Sequence, residues 1–278
     1  MCYSYSMSYK EEMEVNKFYQ KLTGNEIQKL LDFGNQFYFM DAYKDWHPSM
    51  PVITQDKPSE IQFFHWGLIP PFAKYIEKDG RHLHPWDFGN YYSKTANAMM
   101  ETMAEKPTWK RLYKTRRCLV LATGFFEFYH HRNNKQTYPH LISLQDHPMF
   151  AFAGLWDSWN DTDTGEIINS FSILTTKPNE LMSVIHNNPN AHSGSRMPVI
   201  LLPQEWSNWL EESQTLEGLM KFAKPFPSDG MKAVPVRQGL KAKTANANIP
   251  EVLEPMEYEA LKGGWKHYAQ SFEQGSLF

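Results

Sequence analysis

Hydrophobic and polar positions along this chain form short blocks with no single sustained rhythm. Residues 10–33 carry Met13, Phe18, Leu22, Ile27, Leu30, Leu31 and Phe33 amid Lys and Glu, a loose apolar stripe that predicts a helix. Residues 45–60 hold Pro48, Pro51 and Pro58 and read as loop with a short strand at most. Ile61–Ile69 is aromatic-rich and ends at Pro70-Pro71, which predicts a buried strand running into a turn. Residues 75–94 are polar, with Gly80, Pro85 and Gly89, and read as a surface insertion. Asn97–Lys106, rich in Ala, Met and Glu, predicts a helix, and the apolar run Cys118–Ala122 predicts a strand that stops before Gly124. Pro139–Leu144 and Met149–Leu155 predict a hairpin around Asp146-His147-Pro148. Ile168–Thr175 and Met197–Leu202 read as strands, Asn179–Ile185 and Gln204–Leu210 as helices. Strands scattered among helices, without a regular βαβ alternation, give the class α+β. The expected architecture is mixed or antiparallel sheets forming a barrel-like core with flanking helices. No repeat, low-complexity segment or Pro/Gly/Ser linker divides the chain, so one domain over 1–278 is expected, with a C-terminal tail from about residue 256.

Composition agrees with a folded globular protein. Of the 278 residues, 41% are hydrophobic and 15% aromatic, enough to bury a large core and too much for a disordered chain. The two cysteines, Cys2 and Cys118, lie far apart and form no CxxC. That excludes a disulfide framework and a zinc knuckle and fits a reducing compartment. No basic segment followed by an apolar stretch opens the chain, and the longest apolar run is too short to span a bilayer, so a soluble cytoplasmic protein is expected. The net charge of −3 advertises no nucleic acid. A local cluster does exist at Lys106, Lys110, Arg111, Lys114, Arg116 and Arg117, and it reads either as a solvated helix face or as a phosphate-facing patch.

Several chemistries are absent from the sequence. It has no P-loop, no dinucleotide-binding glycine fingerprint, no HExxH and no GxSxG, and its histidines lack metal-ligand spacing. The informative residue is Cys2. Removal of Met1 would leave an N-terminal cysteine with an α-amine near ~8 and a thiol near ~8.5 on one residue. Such an aminothiol condenses with an aldehyde through nitrogen and closes a thiazolidine ring through sulfur, or its amine serves as base to its own thiol. Glu127, just past an apolar strand between Phe126 and Phe128, is either a solvated strand-end carboxylate or a buried group suited to proton transfer. Asn97 taken alone is a helix N-cap, and Trp66 and Phe72 taken alone are core.

Four segments carry a resemblance beyond these single residues. They are Met1-Cys2; His65-Trp66-Gly67-Leu68-Ile69-Pro70 followed by Asn97-Ala98-Met99; Arg117 to Phe128 with Gly124-Phe125-Phe126-Glu127; and Asn179-Glu180-Leu181-Met182 with Ile185-His186, then Arg196-Met197-Pro198. Ala151-Phe152-Ala153-Gly154-Leu155-Trp156 supports the same match. In order and content they resemble the SOS response-associated peptidase family, abasic-site processing proteins that cap damaged single-stranded DNA, from Met1 to about Pro255. The resemblance implies that Cys2, Asn97, Glu127 and His186 are catalytic and that Trp66 and Phe72 stack on unpaired bases. It further implies that Arg196 meets a DNA phosphate. Family members have the histidine closer to Arg-Met-Pro, whereas nine residues separate His186 from Arg196 here and His192 lies among them. His186 keeps its register with Asn179-Glu180-Leu181-Met182, so it is preferred over His192. The family commonly begins Cys-Gly-Arg and has Arg after Asn-Ala, where this chain has Ser4 and Met99. Each missing arginine should weaken the DNA interaction and its salt dependence.

The implied activity is covalent capture of abasic sites in single-stranded DNA as a thiazolidine on Cys2, with lyase chemistry as a side path. It calls for no metal or organic cofactor, no membrane, and a monomer. Two alternatives stand beside it: a cysteine-type peptidase that removes its own Met1, and a non-covalent single-strand binding module.

Overall fold

A computed structural model describes residues 3–8, 37–42, 48–74, 76–78, 81–83, 92–132, 135–162, 164–190, 194–242 and 246–268. The helix expected over 10–33, together with Cys2 and His192, lies outside the described residues. The elements are β1 (Ser4–Met7), β2 (Phe37–Asp41), β3 (Ser49–Thr54), β4 (Lys57–Trp66), β5 (Ile76–Lys78), β6 (Arg81–Leu83), α1 (Tyr92–Thr95), β7 (Asn97–Met99), β8 (Arg117–Ala122), β9 (Gly124–His130), β10 (Thr137–Leu144), β11 (Phe150–Asn160), β12 (Ile167–Thr176), α2 (Glu180–Ile185), β13 (Met197–Pro198), β14 (Ile200–Leu201), α3 (Pro203–Leu210), α4 (Leu216–Met220) and β15 (Met231–Pro235). The class is α+β, as expected.

Five strands close a barrel. β12 runs parallel to β4, and β4 to β3, β3 to β8, β8 to β11 and β11 back to β12 are antiparallel. Closure covers both faces of the middle strands, which is why β8 is buried at all six positions and its sequence is a continuous apolar run after Arg117. β7 adds in parallel to β12, with Asn97 opposite Ile173 and Met99 opposite Thr175. The second sheet, antiparallel in the order β15-β10-β9-β1-β2, grows out of the barrel where β8 passes into β9 at Thr123 and Gly124. Tyr5, Trp66 and Phe152 join sheet and barrel, Tyr5 meeting the other two edge-on at 4.9 and 5.6 Å between ring centroids.

Two glycines of the recognised segments have local causes. Gly67 has φ 114°, a backbone region that side chains disfavour, and its N–H reaches Phe171 O at 2.9 Å to end β4. Gly154 leaves no room for a Cβ, which would stand 2.7 Å from Cys118 Sγ and 3.2 Å from Ser172 O.

Three expectations change. Within the stretch expected to be loop, residues 49–60 are not: β3 and β4 pair from Ser49↔His65 onward. Pro51 is tolerated because the β3–β8 ladder begins only at Val52, and Pro58 sits in the exposed start of β4. Asn97–Lys106 is not an α-helix, since Asn97–Met99 is a strand and Met100–Thr102 a 3-10 turn; a free edge of β12 outweighs helical propensity. Pro139–Leu144 and Met149–Leu155 are strands but do not pair. β10 lies between β9 and β15, while β11 belongs to the barrel. In the 75–94 stretch, β5 and β6 form a small hairpin of their own. The segment from about 256 packs back: Met256 N–H reaches Pro235 O at 2.8 Å, and Tyr268 is buried against Tyr129, rings stacked at 4.8 Å. Among the described residues no helix is long and apolar enough to cross a membrane.

Candidate active site

Pairing in the second sheet brings β1 alongside β9, with Tyr5 opposite Phe125 and Ser6 opposite Gly124. Because the pair is antiparallel, going back along β1 toward Tyr3 means going forward along β9 toward Glu127. Glu127 is 4% exposed, and its Oε1 is buried without a hydrogen-bond partner. It is therefore not a solvated strand-end carboxylate. On its face of β9 it stands between Phe125 and Tyr129, both in the main core.

Asn97 is buried on β7, directly after Ala96, whose carbonyl accepts from Trp66 Nε1 at 2.9 Å. Trp66 thus couples β7 to Tyr5 of β1. His186 caps the C-terminal end of α2, a helix opened by Asn179, whose Oδ1 accepts from Met182 N–H at 2.8 Å. The His186 Nδ1 lies 2.9 Å from Arg196 O and 3.2 Å from Arg196 N. We assign Nδ1–H as donor to the carbonyl from the shorter contact, which makes Nε2 the basic nitrogen. Asn187 clips this helix end to β9, accepting from His130 N–H at 2.7 Å and donating to His130 O at 3.0 Å. Burial first, and the neighbouring His186 second, lower the His130 imidazole below its usual range. His130, at the end of β9, and the end of α2 are therefore adjacent, and Arg196 joins that helix end to β12.

Arg196 is held within the fold. It is 5% exposed, its Nε donates to Thr175 Oγ1 at 3.1 Å, and its Nη2 donates to Thr175 O at 2.8 Å and Glu101 Oε2 at 2.6 Å. It locks the His186 loop onto β12 and presents no open fork to a phosphate. Trp66 is held likewise, at 0% exposure with Tyr5 against its ring. Phe72 is 52% exposed and keeps a face available. Half of the basic cluster is committed to structure. Arg117 is buried and donates to the carbonyls of Trp209, Tyr113, Lys114 and Glu211; Arg111 pairs with Asp157; and Arg116 lies over the Trp156 ring at 4.2 Å. Lys106, Lys110 and Lys114 remain exposed on turns, not on the expected helix face.

Of the two cysteines, Cys118 is fully buried, and burial holds its thiol protonated far above the usual range. It offers no nucleophile. Cys2 is bonded to Tyr3, whose carbonyl accepts from Ala42 N–H at 2.9 Å. Ser4, where the family has arginine, is buried and donates to Asp41 Oδ2 at 2.6 Å, and Asp41 in turn faces Lys241 at 3.4 Å.

One residue escaped the sequence reading. His140 on β10 stands opposite Glu127, is fully buried, and has Nε2 without a partner while Nδ1 lies 3.0 Å from Tyr138 O. The only available signal was that a lone histidine interrupts an apolar strand. Its place opposite Glu127 could be known only from the β9–β10 register.

A five-stranded barrel with an antiparallel sheet, an acidic residue beside the first strand and a histidine at a helix end defines a class recognisable by comparison. The model of the SOS response associated peptidase (SRAP) family matches residues 1–242, and the chain belongs to that family. It is 33% identical over 220 residues, 76% of this chain and 87% of the relative, to the abasic site processing protein YoqW of Bacillus subtilis. It is 29% identical over 228 residues, 74% of this chain and 61% of the relative, to the abasic site processing protein HMCES of Gallus gallus. A crystal structure of a Bacteroides thetaiotaomicron protein superposes with a TM-score of 0.74 at 30% identity, covering 92% of this chain and all of the other. One from Bordetella bronchiseptica shares the fold at TM-score 0.62 and 21% identity.

Proposed function

We propose that this protein processes abasic sites in single-stranded DNA by capturing them covalently on Cys2 after loss of Met1. The observation that carries the reading is the antiparallel pairing of β1 with β9, which leads the chain start toward the buried Glu127. The burial of Cys118 and the names of the relatives support it.

In this mechanism the free α-amine of Cys2 adds to the C1′ aldehyde of the opened deoxyribose. The resulting carbinolamine loses water with a proton supplied by Glu127, giving an iminium ion. The Cys2 sulfur then bonds to the same carbon and its proton returns to Glu127, leaving a neutral thiazolidine. His186, through its basic Nε2, moves protons on the sugar side, and Asn97 holds the sugar or the Cys2 backbone. Phe72 offers its exposed ring to an unpaired base. Elimination at the 3′ phosphate is the side path open to the iminium state.

Intact mass spectrometry with abasic and undamaged oligonucleotides tests the reading. A heat-stable adduct with the abasic strand alone is expected from chains whose mass shows Met1 removed. No adduct from such chains would overturn it, and hydrolysis of peptides in its place would point to the cysteine peptidase.

A further inference from the structure

One face of the β9–β10 pair carries a row of opposed side chains: Tyr129 with Tyr138, Glu127 with His140 and Phe125 with Ile142. The Tyr129 end of that row is covered by a segment beyond the family match, which ends at residue 242. Met256 N–H reaches Pro235 O at 2.8 Å, and the Tyr258 hydroxyl donates to Val236 O at 2.9 Å, so the segment is fastened at the end of β15. Tyr258 also meets Tyr138 edge-on at 4.9 Å. Gly263 and Gly264 follow with φ 92° and 74°, a reversal that side chains disfavour, and His267 N–H closes the turn on Gly264 O at 2.9 Å. The turn brings Tyr268 back to the sheet. There it is 5% exposed, stacks on Tyr129 with 4.8 Å between ring centroids and meets His140 edge-on at 5.9 Å. Its hydroxyl donates to Leu261 O at 3.3 Å, within the segment itself.

Tyr268 therefore lies over two neighbours of Glu127, one two positions along β9 and one directly across on β10. We propose that residues 256–268 are a fixed cap on the Glu127 end of the site, with Tyr268 as the positioning residue that keeps water out of it. This rests on the reaction proposed above, in which water is the competitor of sulfur. A water that adds to the iminium carbon and gives its proton to Glu127 restores the carbinolamine, and the thiazolidine is lost from that turnover. The capped surroundings are dry. Glu127 is 4% and His140 0% exposed. Burial raises the phenols of Tyr129 and Tyr268, the latter to about 12, and lowers the His140 imidazole to about 4. Tyr268 acts through Tyr129 and His140, so its ring matters to the chemistry and its hydroxyl, turned to Leu261, does not.

Two measurements on the full chain test the cap. Nuclear magnetic resonance of the DNA-free protein should find His140 titrating near 4 in the wild type and in Tyr268→Phe, which keeps the stacked ring, and moving back toward 6.5 in Tyr268→Ala. In the second, Tyr268→Ala should form adduct about tenfold more slowly at saturating abasic oligonucleotide, less than the about 10²-fold that a whole acid–base group supplies. Its affinity for an undamaged strand should stay at the wild-type value, and Tyr268→Phe should restore the rate. A wild-type His140 that titrates near 6.5 would overturn the cap even if Tyr268→Ala fails to fold. So would a wild-type rate in Tyr268→Ala, or a loss in which rate and strand affinity fall together. The titration does not depend on the reaction. A wild type that forms no adduct while His140 stays near 4 and moves in Tyr268→Ala would condemn the proposed function and leave the cap standing.

Discussion

Cys2 carries both atoms that bond to the lesion in the proposed chemistry, and its removal separates them. Cys2→Ala keeps an amine and loses the sulfur, so a reversible imine is the most it can form. Its heat-stable adduct should vanish on denaturing gels, while Cys2→Ser should give a less stable oxazolidine-type product. A stable adduct in Cys2→Ala would move the nucleophile elsewhere, and Cys118, buried and protonated, could not be it. Met99 poses a different question at the same scale. It ends β7 opposite Thr175, half-exposed and beside the strand that Arg196 grips. Met99→Arg should tighten single-strand binding and steepen its log–log salt slope by about 0.7 if one phosphate contact is gained. An unchanged slope in a salt titration would show that Met99 does not face the backbone. Ser4 invites no such test, because its hydroxyl is buried on Asp41.

Legibility differed by element, and the differences have physical causes. β8, β12, α2 and α3 were readable because their signals are local: a continuous apolar run, or an Asn179 cap before a short helix. The β3–β4 hairpin was hidden by prolines that are harmless only because of where the β8 ladder starts. β7 was hidden by helix-forming residues that the edge of β12 recruits as a strand. The site showed the same division. Asn97, Glu127 and His186 came from matched segments, whereas the true surroundings of Trp66, Arg196 and His140 depend on tertiary pairing that no spacing reveals. Gly154 lies where both kinds of information meet, since the motif marks it and the packing explains it. An added methyl would meet Cys118 Sγ and the Ser172 carbonyl across two ladders of the barrel. Gly154→Ala should therefore lower stability by about 1–3 kcal/mol, measured by urea unfolding, the usual range for overpacking a tight core. A neutral result would mean that β11 shifts outward freely.

For the molecule as a whole, the buried His140 makes stability depend on pH. Burial lowers its imidazole from an ordinary 6.5 to about 4 in the folded state. Between those values the unfolded chain binds a proton that the folded chain refuses. Stability is then fully present above about 6.5 and declines as pH falls toward about 4, by about 3 kcal/mol in all. His130, lowered by burial and by the neighbouring His186, adds an acid slope of the same sign. Urea unfolding from pH 4 to 8 should therefore show wild type more acid-labile than His140→Phe, which has no imidazole to charge on unfolding. If the two proteins lose stability in parallel as pH falls, His140 takes up its proton as readily in the folded state as in the unfolded one.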